Sequence, residues 1–466
     1  MAHSRIKTGL LLFGVICLVG GVCSAWTFAL QPRCIGIDFV QFRIVGQHLQ
    51  RGGSARVYDD DVRAELLQSV FQQVSVDEPR SRHFYAVRFR HDRSLETYST
   101  PLLYSTFALL PSDDYENSIR RFWMLAIAAT VIGMLGCWAA LRMQVPGLFL
   151  TAAVLTWFNP LLIDLNVANV NQVQLGMLGI LLLLLLRRTP PTDFVAAFWL
   201  GLCLAFKPSL VFCAAMTPAL SMIRRDWSRV ARWLTGFAAS AVVGVAFSSV
   251  WFPLTAWVDW MRAVGSMPDE IITVTMGNYS ATRMLQDWTA SALPFSLSAA
   301  VLLTVVTIGT AWFTECRPTL PGSIGFASTR QRRMTVQDDA LAVALGCQIF
   351  LLSSKLVWYH YLVLSLPAVL VGLKFAIDQR RLMERLVLIG VVLWSTLLIG
   401  FAPIDTWLAS SAEEHRLRCV MANVLLFALL LMRFTARSDV VSGGQTMSSA
   451  TPASPHQSTA SKTPGR

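Results

Sequence analysis

Asp38 is the first acidic residue of the chain, and it follows an apolar run that closes at Leu30. A carboxylate at that boundary between lipid and water is placed to take a proton from a hydroxyl carried on a lipid, the work of a general base. Seven other polar side chains lie in or beside later apolar stretches: Asn171, Gln172, Gln174, Lys207, Asn278, Lys355 and His360. Polar groups at membrane depth are expensive and mostly face a cavity or carry function. If the chain brings them to the side of the membrane where Asp38 lies, they form one site.

The elements that would position them follow from composition. The chain has 466 residues, 54% of them hydrophobic and 14% charged. Mean hydropathy is positive, and apolar runs of about 20 residues, the length that crosses a bilayer, recur throughout. This is the profile of an all-α polytopic membrane protein. The formal charge of +11 sits mostly in short gaps between the apolar runs, where Lys and Arg act as topology signals and not as a nucleic-acid surface. Nine cysteines are scattered, six of them inside apolar runs (Cys17, Cys23, Cys137, Cys203, Cys213, Cys347), with no Cys-x-x-Cys spacing. That pattern speaks against a disulfide framework and against a metal site.

Thr8 to Leu30, behind Arg5 and Lys7, resembles the front of a signal peptide, but the run is long enough to remain as a first span with its start in the cytoplasm and Asp38 outside. Residues 31–118 then form a long extracytoplasmic loop, beyond the length to which the positive-inside rule applies. Within it, Asp61 to Val74 has the spacing of a surface helix, and Pro101 to Pro111 is apolar but too short to span. Spans are expected at about Phe122–Leu141, Val145–Ile163 and Asn169–Leu186, reaching Arg187-Arg188 inside. To put the next basic cluster (Arg224, Arg225, Arg229, Arg232) inside as well, the chain must cross twice and turn outside at Lys207-Pro208. Further spans are expected at Trp233–Pro253 and Pro294–Phe313, two within Ala340–Ile377 with Lys355 and His360 at the outer turn, then Leu386–Ala402 and Val420–Met432. The total is about twelve. Arg120-Arg121 opposes this count by starting a span from outside. Residues 1–435 read as one integral-membrane domain and 436–466, rich in Ser, Thr, Gly and Pro, as a disordered cytoplasmic tail.

Six short stretches, in order, resemble glycosyltransferase family 87, the polyprenol-phosphate-dependent mannosyl- and arabinosyltransferases. Asp38-Phe39 with Gly52, Gly53, Tyr58 and Asp59 is similar to the family's first outer-loop segment, and Tyr98 to Pro111 to its Tyr-Pro-Pro…Leu-Leu-Pro stretch. Asn171-Gln172-Val173-Gln174 resembles its Gly-Gln-Val-Asn, Gly201 to Pro208 its Gly…Lys-Pro, Gly277-Asn278-Tyr279-Ser280 its Asn-Gln-Ser, and Trp358-Tyr359-His360-Tyr361 its Trp-x-His-Tyr. Departures are Ser99-Thr100 in place of Tyr-Pro, Asn171 in place of Gly, and an arginine-rich insertion from Arg80 to Arg93. They bear on the acceptor and the sugar more than on the reaction.

The resemblance implies the type-C membrane glycosyltransferase fold and transfer of one sugar, mannose by expectation, from a polyprenyl-phosphate donor to a lipid-linked or cell-envelope glycan on the extracytoplasmic face. It implies Asp38 as base with His360 as a second candidate, Lys207, Lys355 and Arg283 on the donor phosphate, and Gln172, Gln174, Asn278 and Tyr361 on sugar or acceptor. No metal or cofactor is expected, because a polyprenyl phosphate is already a fair leaving group; displacement at the anomeric carbon would invert configuration. Expected partners are the lipid donor, the acceptor and membrane lipids, and no nucleic acid.

Plainer readings exist for each residue. Asp38 is also what an interfacial charge looks like, Lys207 a snorkelling lysine, Trp358, Tyr359 and Tyr361 an aromatic belt, and Gln172 and Gln174 bonds between helices. Two rival functions share the apolar profile. A secondary transporter would also have broken spans, though the halves show no similarity and a long outer segment has little use in a carrier. A lipid-glycan ligase or polymerase would move a whole oligosaccharide.

Overall fold

In the computed structural model, the described residues are 2–73, 95–110, 114–143, 145–268, 272, 277–291, 295–316, 334–400 and 411–443. Among them all regular structure is helical. The first apolar run is one helix, α1 (Ala2–Ala29). The long polar segment holds α2 (Ile37–Gln50), α3 (Asp60–Gln73) and the short α4 (Pro101–Ala108). Thr100 starts α4 by accepting a hydrogen bond from the Leu103 amide, with Pro101 in the first turn where no donor is needed. The Phe107 ring of α4 packs 5.8 and 5.1 Å from Phe39 and Phe42 of α2. The Arg80–Arg93 cluster lies outside the described residues.

The spans begin again with α5 (Tyr115–Leu141), which packs along α8 (Asn171–Leu185). At Gly136 and Gly179 a methyl group on either residue would run into the backbone of the facing helix. Membrane helices gain little from hydrophobicity against one another, so close backbone approach over small residues supplies the contact instead. The expected span Val145–Ile163 is two helices, α6 (Pro146–Trp157) and α7 (Asn159–Val167). Pro160 cannot donate to the preceding turn, so the α6 ladder stops and the proline opens α7. The α7 and α8 axes then meet at 118°.

The break expected at Lys207-Pro208 is present. α9 (Pro190–Phe206) ends at Lys207, whose extended backbone (φ −152°) is what a residue before proline adopts. A 3-10 turn, Pro208–Leu210, leads into α10 (Val211–Ile223). There follow α11 (Trp227–Ser248), α12 (Ala256–Gly265), α13 (Ala281–Thr289), α14 (Phe295–Cys316) and α15 (Val336–Ser353), then a 3-10 turn Tyr359–Ser365 that runs into α16 (Leu366–Ile377). α17 (Leu382–Gly400) and α18 (Ala412–Gly443) close the bundle, α18 running past residue 436, where the sequence reading begins the tail. Arg330 to Arg333 and residues 444–466 lie outside the described residues.

Among the described residues, eight helices are long and apolar enough to cross a membrane, or nine if the bent α7–α8 pair counts as one span; α6, α9 and α10 are shorter apolar helices. The protein is an all-α, multi-pass membrane protein. One end of the bundle is held by ion pairs. Arg229 at the start of α11 bonds Asp193 of α9 (3.2 Å) and Asp339 of α15 (2.9 Å), Arg232 also reaches Asp193, and Arg188 joins Asp339. Arg224, at the end of α10, ties Asp338 of α15 to Glu315 of α14, both at 2.8 Å. Asp193 and Lys207 bracket α9, so at about 1.5 Å per residue this cluster lies roughly 20 Å from Lys207.

Candidate active site

Asp38 owes its place to Gly36. The helix α2 begins from Gly36 in the left-handed conformation (φ +68°), with its amide bonded to the Asn166 carbonyl at the end of α7. A side chain there would collide with Ile119 and Tyr115 of α5. The Tyr115 hydroxyl also donates to the Ile35 carbonyl at 2.6 Å. The first turn of α2 is thereby fixed against α5 and α7, and Asp38, two residues on, is presented with its side chain 19% exposed.

The bend between α7 and α8 supplies the neighbours. Ala168 takes a left-handed φ of 53° to end α7; Asn169 lies in the link that follows, and Asn171 is the first residue of α8. The Asn169 amide donates to Asp38 Oδ2 at 2.8 Å. Lys207 Nζ donates to Asn169 Oδ1 at 2.8 Å and to Asn171 Oδ1 at 2.7 Å. The Asn171 amide donates to Asp164 Oδ1 at 2.8 Å, and the Gln172 backbone amide reaches Asp164 Oδ2 at 3.2 Å. Carboxylate, amide, ammonium, amide and carboxylate alternate along four short hydrogen bonds. Each amide can turn only one way, because its NH₂ donates and its oxygen accepts.

The 3-10 turn after α15 closes the group. Lys207 Nζ sits 4.4 Å from the centre of the Tyr361 ring, a cation–π contact. His360 Nε2 is 3.8 Å from Asp38 Oδ2, beyond direct hydrogen-bond length, and its ring meets Tyr361 edge-on at 5.0 Å. Asp38, Asn169, Lys207, Lys355, Trp358 and Tyr361 line one cavity of about 310 Å³, whose wall also includes Glu96, Tyr98 and Trp260. That wall is pinned at many points. The Trp260 indole donates to the Tyr98 carbonyl (3.0 Å), Tyr58 to the Ser99 carbonyl (2.8 Å), and Thr100 to the carbonyl of Phe206, next to Lys207 (2.8 Å). Burial, with Tyr104 and Asp259 nearby, pushes the Tyr58 hydroxyl well above the usual phenol range, so it stays a donor.

The profile of glycosyltransferase family 87 matches residues 99–354. The chain belongs to glycosyltransferase family 87. It is a membrane glycosyltransferase, and sugar donors and acceptors are its substrates. No curated protein and no solved structure matches it. The family 87 match contains Asp164, Asn169, Asn171 and Lys207, whereas Asp38, Lys355, His360 and Tyr361 fall outside it; the cavity joins the two sets.

The other family 87 candidates are placed elsewhere. The Gln172 side chain is fully buried between Thr130 and the Leu161 carbonyl, and Gln174 bonds Ser209 at 2.7 Å and the Lys207 carbonyl at 3.3 Å. Neither lines the cavity; Gln174 instead braces the backbone that carries Lys207. Asn278 is likewise buried, its amide donating to the carbonyls of Ile272 and Lys355 and its oxygen accepting from the amides of Val357 and Ser280. It shapes the loop bearing Lys355 and Trp358. Arg283 pairs with Asp287 one turn along α13 (2.9 Å) and does not line the cavity. Lys355 does line it, with Nζ 3.2 Å from the Val264 carbonyl.

Among the residues of this site that escape the sequence motifs are Asp164, Asn169, Glu96 and Trp260. A signal existed for Asp164, a carboxylate inside an apolar run. Asn169 carried none beyond its place beside Asn171.

Proposed function

We propose that this family 87 enzyme moves a single sugar, mannose by expectation, from a polyprenyl-phosphate donor to a lipid-linked or envelope-glycan hydroxyl at the extracytoplasmic face. The observation that supports it most is the pairing of Asp38 and Lys207 on opposite sides of one amide, Asn169, at the wall of the same cavity. Sugar transfer from a lipid phosphate needs these two things. A base must take the acceptor proton, and a cation must meet the charge that grows on the departing phosphate.

In the proposed step the acceptor oxygen attacks the anomeric carbon from the face opposite the phosphate. The new C–O bond forms as the bond to the phosphate oxygen breaks, and the electron pair leaves with polyprenyl phosphate. The acceptor proton passes to Asp38. Configuration at the anomeric carbon inverts. Asp38 is favoured over His360 as the base because Asp38 lines the cavity and His360, 3.8 Å from its carboxylate, does not. His360 then orients the carboxylate or shares its proton through one water. Lys207 and Lys355 hold the phosphate, and Tyr361, Tyr98, Trp260 and Trp358 offer ring faces to a sugar.

The extracytoplasmic placement is supported by the arginine cluster at the opposite end of α9, the sign of a cytoplasmic end. Purified protein offered a radiolabelled polyprenyl-phosphate sugar and a lipid acceptor tests the reading. Labelled product from the lipid donor is expected. Product from a nucleotide sugar alone would overturn the choice of donor.

A further inference from the structure

Lys207 has an unusual set of partners. A cation lining a cavity with Asp38 could pair with that carboxylate directly, which would tie up the base in an ion pair. Instead an amide stands between them, and a second amide stands between Lys207 and another carboxylate, Asp164. Asp164 is 1% exposed and does not line the cavity, so it touches no substrate. It is nonetheless a carboxyl group in the interior of a membrane protein, where such a group is retained only with partners of its own, and both of its oxygens accept N–H hydrogen bonds. Those partners are Asn171, the Gln172 amide and, through Asn171, the ammonium of Lys207.

We propose that Asp164 is a positioning residue: acting through Asn171, it holds Lys207 as an ammonium at the cavity wall, turned toward an incoming anionic group and kept off Asp38. This deepens the proposed function, since the anionic group is taken to be the donor phosphate. The logic is electrostatic. With Asp164 present, Lys207 is drawn from two sides and sits between the two asparagines. With Asp164 uncharged, the nearest carboxylate left to it is Asp38. The ammonium then loses that support, and what remains pulls it onto the base.

The other titratable or charged groups around Lys207 are Asp38 on α2, His360 and Tyr361 on the 3-10 turn, and Glu96 and Lys355, which line the same cavity. None of these changes in Asp164→Asn, which keeps the side-chain shape and can still bond Asn171.

Reductive methylation of Lys207 with formaldehyde and borohydride, followed by peptide mass spectrometry across a pH series, reads the proposal without reference to any substrate. Only the neutral amine reacts. In Asp164→Asn the pH of half-maximal labelling should fall by about one unit or more, the scale on which an opposite charge acts in a poorly solvated site. The alkaline limb of kcat/KM for sugar transfer should fall with it. An unchanged labelling midpoint in a folded Asp164→Asn protein overturns the proposal. If that variant does not fold, Asn171→Ser, which removes the link and leaves both charges, decides in the same way: a lowered midpoint supports the role and an unmoved one ends it. Wild-type protein that labels as expected but transfers no sugar would count against the proposed donor and not against Asp164.

Discussion

Asp38 and Lys207 are each a single charge beside an apolar segment, and that is why both could be read from the sequence. Their variants should separate chemistry from binding. Asp38→Asn can still accept from the Asn169 amide, so it should fold as the wild type does and lose about 10²–10⁴-fold or more in kcat, the contribution typical of a positioned base; transfer by single-turnover assay, with yield and melting as controls, checks this. Lys207→Met should lower kcat/KM by about 10²-fold or more, the scale of one charge-stabilising group. Arg283→Ala should cost far less, because Arg283 is paired with Asp287 away from the cavity. Equal losses for Lys207→Met and Arg283→Ala in the same assay would contradict this division. Gln172, Gln174 and Asn278 show the limit of motif reading. Their residue types suit sugar hydroxyls, but an amide hydrogen-bonds a backbone as readily as a ligand, and in the fold their amides go to carbonyls and to Ser209.

At the scale of elements, breaks governed by proline and basic clusters were legible and the bend at the site was not. Lys207-Pro208 could be located because proline stops α9 and because two arginine clusters had to share a side. The α7–α8 bend turns on Ala168, whose left-handed backbone nothing in its residue type announces. Neighbouring packing imposes it, including the Trp123 indole bonded to the Leu165 carbonyl at 2.8 Å. Gly36 is the opposite case, a glycine whose role is clear once its φ is known. Gly36→Val should destabilise the fold by about 1–2 kcal/mol from the left-handed backbone alone, with the clash against Ile119 and Tyr115 in addition. Transfer should fall more steeply than melting temperature, since the first turn of α2 carries Asp38. A variant with wild-type kcat would show that Gly36 does not set the position of the base.

For the whole molecule, the multi-pass all-helical architecture was evident from apolar run lengths, while the clamp at the far end was not. Arginines between spans read only as topology signals, and their pairing with Asp193, Asp338 and Asp339 depends on which helix ends meet. Arg229→Met should cost about 1.5–3 kcal/mol, because it removes one of the two arginine partners of each of two buried carboxylates, Asp193 and Asp339. Thermal melting in detergent reads that loss, and Arg229→Met with unchanged melting would show that the cluster contributes nothing to stability. The distribution of the site along the chain has a temporal consequence. His360 is synthesised 322 residues after Asp38, a wait of roughly 15–60 s at ~5–20 residues per second. Until synthesis has passed Tyr361, about three quarters of the way along the chain, the site lacks its last side chains, and a nascent chain is expected to transfer no sugar before then.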